Sequence, residues 1–278
     1  MSARLHRWWA SVVRRLDKRG TRALLIVPAS LWMSASQRTP CLVYWSDGAW
    51  IHRYPGAKIP HAALGRAARP GVFTAEARAV FTYEYTPQAG DVVFDVGAGV
   101  GAETLLFARL VGKRGRVVAL EAHPRTYERL ARLCSINRLT NVVPLHVAAG
   151  DADGEALITD SPNHLRNTTV GATGDGVRVR ARRLDSIAGE LGLTRIDLLK
   201  MNIEGAEILA LAGLEGIVHA TRRVCISCHD FLADEGASDE LRTKRAVRAW
   251  LIERGFRVTS RDDAPEPWLR DYLYGSRD

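Results

Sequence analysis

Four cysteines in 278 residues are too few for a disulfide framework, which excludes the small stapled secreted folds. Long hydrophobic runs are missing as well. A bilayer-crossing helix needs roughly 18 to 20 consecutive apolar residues, and the longest candidate, residues 23–33, is interrupted by Pro28 and Ser30. No internal repeat is present, which leaves no basis for a solenoid or propeller. Acidic residues are scarce at the front. Arg4, Arg7, Arg14, Arg15, Lys18, Arg19 and Arg22 face only Asp17, in a chain of net charge +8. That asymmetry predicts an anionic neighbour for the N-terminus, with peripheral membrane contact as one form of it. No strand interleaves aromatic and basic residues as single-stranded RNA binders do, which argues against a nucleic acid partner.

What is present is ordinary for a globular chain, with 46% hydrophobic and 25% charged residues, enough for a sizeable core. Trp8, Trp9, Val12, Val13 and Leu16 fall at helical spacing with arginines between them. They predict a basic amphipathic helix over 6–16, either docked on the body or laid on a membrane surface. Residues 41–45 and 49–54 flank Ser46-Asp47-Gly48, a hairpin signal. A Gly/Pro/Ala-rich connector, 55–71, leads to a helix over 74–85.

From there strands and helices alternate: 91–96, 103–111, 116–120, 125–137 and 142–147. This rhythm predicts an α/β fold with a doubly wound, mostly parallel sheet. Later strands are expected at 156–159, 177–182, 196–201, 223–227, 256–260 and around 268–274. Helices are expected at 186–191, 206–212 and from a Ser238 cap to about Arg254. Two parts follow, a helix and hairpin element over 1–72 that caps the substrate and a cofactor-binding domain over 73–278.

Asp95-Val96-Gly97-Ala98-Gly99-Val100-Gly101 lies between an apolar run and a helix carrying Leu105, Leu106 and Leu110. Glycines at such a turn let backbone approach a ligand, and the helix N-terminus offers free N–H groups. Gly97-x-Gly99-x-x-Ala102 also fits the relaxed dinucleotide pattern. Glu121, about 20 residues on, would accept hydrogen bonds from ribose hydroxyls of NAD or of S-adenosylmethionine alike. Asp95 separates the two. Its carboxylate suits the cationic methionine portion of S-adenosylmethionine and would repel a pyrophosphate. A methyltransferase is therefore expected first, with an NAD-dependent oxidoreductase and a non-catalytic protein on a cofactor-binding fold as the alternatives.

From residue 87 to about 231 the chain resembles the FkbM family of S-adenosylmethionine-dependent methyltransferases. The matching blocks include Asp91-Val92-Val93-Phe94-Asp95 with its glycine turn, Leu120-Glu121-Ala122-His123-Pro124, and Ala148-Ala149-Gly150-Asp151. Most specific is Ile196-Asp197-Leu198-Leu199-Lys200-Met201-Asn202-Ile203-Glu204-Gly205-Ala206-Glu207. The resemblance implies a Rossmann-like fold of the class I methyltransferase type. It also implies O-methylation of a hydroxyl on a sugar, glycolipid or natural product, hence a small-molecule, glycan or lipid-linked acceptor. Cofactor contacts are implied for Asp95, Gly97, Ala98, Gly99, Gly101, Glu121, Ala122 and Asn202, with Ala149, Gly150 and Asp151 near the adenine. Asn202 stands where the family's Lys-x-Asp-x-Glu-Gly-x-Glu block has aspartate, which tells against a metal ligand or base at that position. A donor made inside cells points to the cytoplasm. The basic start, the short apolar run and Ser34-Ala35-Ser36 give a secretory signal as the rival reading.

Ligands of open α/β sheets bind beyond the carboxyl ends of the strands, here residues 200–204 and 229–230. His229 is the candidate base, since an ordinary histidine titrates near about 6.5. Asp230 or Glu204 would orient it, and Lys200 completes the set. A divalent ion on Asn202, Glu204, His229 and Asp230 is the rival, although no metal is expected. Glu204 and Glu207 also open a helix, whose positive end they stabilise. Cys225-Ile226-Ser227-Cys228-His229 matches a haem attachment pattern but is set aside, because strand residues three apart point to opposite faces. Trp45, Trp50 and Tyr54, and the loop 160–176, are expected to shape the acceptor pocket.

Overall fold

The computed structural model describes residues 3–61, 64, 70–160, 168–169, 176–234, 236 and 238–277. The chain divides into two compact units, Met1–Ala75 with Ser135–Arg138, and Glu76–Cys134 with Leu139–Asp278.

In the first unit, helix α1 (Ala3–Leu16) turns Trp9, Val12, Val13 and Leu16 into the core. Helix α2 (Ala23–Gln37) follows, where the sequence suggested only an apolar run broken by proline. Its signal is the four-residue spacing of Leu25, Ala29 and Met33, which buries one face. Pro28 falls on the exposed side, where its missing N–H removes one helical bond. The Ser30 hydroxyl donates to the Ile26 carbonyl (2.6 Å) and accepts from the Val43 N–H (2.9 Å), tying the helix to β1 (Leu42–Ser46). Strand β1 pairs antiparallel with β2 (Ala49–Tyr54), Trp45 opposite Trp50. Residues 55–71, expected as a connector, contain a third strand, β3 (Ala57–His61). Pro60 hid it, yet β3 is an edge strand, where a missing N–H is tolerated. Trp50 and Tyr54 are enclosed in this unit's own core, and Trp45 lies 3.6 Å beneath the Arg22 guanidinium. All three are thus engaged within the unit rather than free to stack on an acceptor.

The alternation continues through α3 (Pro70–Phe81), β4 (Val92–Val96), α4 (Ala102–Val111), β5 (Arg116–Glu121), α5 (Pro124–Ile136) and β6 (Val142–His146). A small sheet of order β7-β9-β8 is inserted next, from β7 (Ala148–Ala149), β8 (Gly154–Ile158) and β9 (Val177–Arg182). Then come α6 (Leu184–Glu190), β10 (Leu198–Met201), α7 (Glu207–Ala212), β11 (Arg223–Ser227), α8 (Asp230–Asp234) and α9 (Lys244–Glu253). Strand β12 (Arg257–Ser260), α10 (Pro267–Arg270) and β13 (Tyr272–Ser276) finish the second unit.

Among the described residues the main sheet runs β12-β13-β11-β10-β4-β5-β6. Its pairs from β11 to β6 are parallel, and β13 runs antiparallel to both neighbours. The order reverses between β4 and β10, which is where a doubly wound sheet opens its crevice. Phe94, Val96, Leu199, Met201 and Ile226 pack on one side, and Val93, Val117, Leu198 and Cys225 on the other. Cys225 and Cys228 are buried in opposite clusters, so the two thiols of the haem attachment pattern do not share a face. Ser238 caps only a short turn, Asp239–Leu241. Helix α9 begins at Lys244, whose N–H donates to the Asp230 carboxylate (3.0 Å). Trp268, expected in the last strand, lies on α10.

Candidate active site

The carboxyl ends of β4, β5 and β10 meet at a cleft of about 690 Å³, lined in part by Gly97, Gly99, Glu121, Ala122, Ala149, Asn202 and Glu204. Gly97 has φ 74°, and a Cβ there would lie 2.0 Å from the Asn202 carbonyl oxygen. Any side chain would therefore push the turn off β10. Gly99, at φ 56°, faces open space, and its N–H donates to Glu121 Oε2 (3.0 Å). Glu121 Oε1 accepts from the His123 N–H (2.9 Å). Burial pushes this carboxyl up to about 7, against the pull of the two N–H groups. Asn202 Oδ1 is buried without a hydrogen-bond partner among the described residues, an open acceptor in the wall.

Asp95 takes no place in that wall. Register pairs it with Lys200 on the neighbouring strand, and period two turns both away from the cleft, onto the face of Val93 and Leu198. Asp95 is fully enclosed, its Oδ1 2.8 Å from Lys200 Nζ and its Oδ2 accepting from the Thr104 hydroxyl at 2.6 Å. Lys200 also donates to the Gly97 carbonyl (2.7 Å). Burial works against the ammonium, yet Asp95 beside it holds its pKa above the ordinary lysine range. Expected respectively as a cofactor contact and a catalytic group, the two form a buried strut under the glycine turn.

His229 lies between two carboxylates, its Nε2 3.1 Å from Glu204 Oε1 and its Nδ1 3.3 Å from Glu207 Oε1. Glu207 is wholly buried, also accepting from the Gly205 N–H (3.0 Å) and the Thr243 hydroxyl (2.8 Å). Burial alone would lower the imidazole pKa, but the two glutamates overrule it and push it up to about 9. At neutral pH His229 is therefore an imidazolium, with no free lone pair to act as the expected base. Asp230 does not orient it, being spent on the first turn of α9. Glu204 is the member of this group in the cleft lining.

The raised His229 pKa has a consequence for stability. A histidine raised from its ordinary value to about 9 stabilises fully below about 6.5 and loses that contribution as pH climbs through 9. Denaturant unfolding across this window should show wild type losing on the order of 3 kcal/mol more than His229→Gln. Parallel curves would refute the ion-paired state.

Of the other expected contacts, Ala98, Gly101, Gly150 and Asp151 are not among the lining residues, whereas Val147, Ile158, Thr169 and Ile203 are. These additions are apolar or small, and only the fold brings them together. Of loop 160–176, residues 161–167 and 170–175 lie outside the described residues. Among the described residues no group of three or more His, Cys, Asp or Glu is placed to hold a metal ion.

A crossover cleft floored by a glycine turn, a carboxylate at the end of β5, and a parallel sheet with one reversed strand near its edge form a Rossmann-like architecture of the class I methyltransferase type. The match of the FkbM methyltransferase domain to residues 95–258 makes it specific. The chain belongs to the FkbM methyltransferase family. It is 28% identical over 254 residues to the 31-O-demethyl-FK506 methyltransferase FkbM of Streptomyces tacrolimicus, covering 78% of this chain and 93% of that one. The 2-O-methyltransferase NoeI of Sinorhizobium fredii is 27% identical over 161 residues, 52% of this chain and 66% of that protein. The antimetabolite synthetase AmbE of Pseudomonas aeruginosa is 36% identical over 118 residues, 41% of this chain but 5% of that much longer protein.

Proposed function

We propose that the chain transfers a methyl group from S-adenosylmethionine to a hydroxyl of a small molecule, sugar or lipid-linked glycan. The polarity of the cleft carries this reading. Its described lining holds two carboxylates, Glu121 and Glu204, and no Lys or Arg. Glu121 suits the ribose of either cofactor, whereas Glu204, with no Lys or Arg beside it in that lining, favours a cationic donor over the pyrophosphate of NAD. The residues present fit the donor: Glu121 would accept from ribose hydroxyls, Asn202 Oδ1 is a ready acceptor, and Leu120, Val147, Ile158 and Ile203 offer apolar walls for a flat ring.

When bound, S-adenosylmethionine supplies a methyl group already activated for attack. Glu204 takes up the proton of the acceptor hydroxyl, and His229 holds that carboxylate in place as its cationic partner. Two relatives carry O-methylation in their names, which supports an oxygen acceptor. Residues 1–72 are assigned to acceptor choice and 73–278 to the donor, since the family match begins only at Asp95. Among the described residues no helix is long and apolar enough to cross a membrane. A cytoplasmic setting is supported by the source of the donor and by four free cysteines.

Calorimetry with S-adenosylmethionine, S-adenosylhomocysteine and NAD tests the donor site. The first two should bind, and Glu121→Gln should weaken them by about 10- to 100-fold, the value of a hydrogen bond to a charged group. Wild-type affinity should fall as pH drops through about 7, where the Glu121 carboxyl becomes protonated; the variant should lack that step. Binding of NAD alone would overturn the proposal. Labelled donor incubated with source-cell extract should deposit its methyl group on an oxygen.

A further inference from the structure

Helix α2 carries no charged residue over Ala23–Gln37. While Leu25, Ala29 and Met33 fill the core of the first unit, Leu24, Val27 and Leu31 stand out at 65, 66 and 67% exposure. Their spacing of three and four residues places them in one row along the helix. Single exposed apolar residues are ordinary, whereas a contiguous row marks a docking face. The apolar stripe of α1 is consumed in the core, but Trp8 on that helix remains 60% exposed.

The exposed charge that leads into this row along the chain is of one sign. Arg14, Arg15, Lys18 and Arg19 are exposed. Asp17, the one acidic residue before Asp47, is already held by Arg22 (2.5 Å) and by the Trp50 indole N–H (3.0 Å). The flank therefore seeks an anionic surface. A second copy docked row to row would bring two such cationic flanks together, which like-charge repulsion disfavours. At about 1.5 Å per residue, α2 is roughly 22 Å long, short of the ~30 Å hydrocarbon core. It can lie in a membrane interface but not cross one.

We propose that α2, with Arg14, Arg15, Lys18 and Arg19, docks in plane on an anionic lipid bilayer, Leu24, Val27 and Leu31 entering the headgroup and acyl boundary. The proposal is independent of the methyl-transfer reading. Flotation of the full chain with vesicles of equal parts phosphatidylcholine and phosphatidylglycerol tests it. The chain should float with these vesicles and bind pure phosphatidylcholine at least about tenfold more weakly. Each basic residue changed to serine should cost about fivefold, and added salt should release wild type. Leu24→Ser/Val27→Ser/Leu31→Ser should abolish flotation with an unchanged melting temperature, all three positions being exposed. Wild type that stays off anionic vesicles, a triple variant that floats like wild type, or a dimer that the triple variant dissolves while vesicles are ignored would each overturn it.

Discussion

Asp95→Ala should lower the unfolding free energy by about 3–5 kcal/mol, the usual result of leaving one partner of a buried ion pair uncompensated. Its Lys200 ammonium is 1% exposed and would keep, among the described residues, the Gly97 carbonyl and the Phe81 ring 5.2 Å away, neither of which carries a compensating charge. Adding Lys200→Met should recover most of the loss, since the buried charge then disappears with its partner. Denaturant unfolding of the two single variants and the double variant reads this directly. Simple addition of the two losses would mean that the residues do not act as a pair. Donor affinity in folded Asp95→Asn should stay within about threefold of wild type, less than the loss of one hydrogen bond to a charged group. A large loss of affinity in that folded variant would restore Asp95 as a cofactor contact.

Glu204→Gln should reduce kcat by about 10²- to 10⁴-fold, the range for loss of a positioned proton acceptor, a far larger effect than the weakening of donor affinity that follows from removing one carboxylate of the wall. The amide keeps the size and a hydrogen-bonding oxygen toward His229 but has no useful basicity. His229→Gln should lower kcat less, because it removes the partner that holds the carboxylate rather than the carboxylate itself. Labelled methyl transfer to the acceptor-containing fraction, with donor affinity measured separately, distinguishes the two effects. Full turnover by Glu204→Gln would sink the assignment.

The glycine turn, Glu121 and the alternation around them were legible because each rests on a local signal: period-two runs, a strand-to-helix turn rich in glycine, and a carboxylate one strand later. The facing of Asp95 was half legible. Counting alternate residues from Val93 puts it on the same face as that apolar residue, but its pairing with Lys200 needs the register of two strands more than 100 residues apart in sequence. The charge state of His229 was not legible at all. It depends on Glu204 and on Glu207, which is anchored by Thr243 from beyond β11. Helix α2 and strand β3 are masked in the sequence for a shared reason, a proline that stands on a solvent face in one and on a sheet edge in the other.

Glu204 and His229 both have left-handed backbone, at φ 53° and 54°, a conformation that costs a non-glycine residue about 1 kcal/mol or more. At position 204 glycine would relieve that strain, but it would also take one of two carboxylates from the buried His229 imidazolium, a larger loss. Selection for heat resistance and selection for product should therefore both purge Glu204→Gly. The strained backbone persists where one carboxylate both steadies a buried cation and faces the cleft.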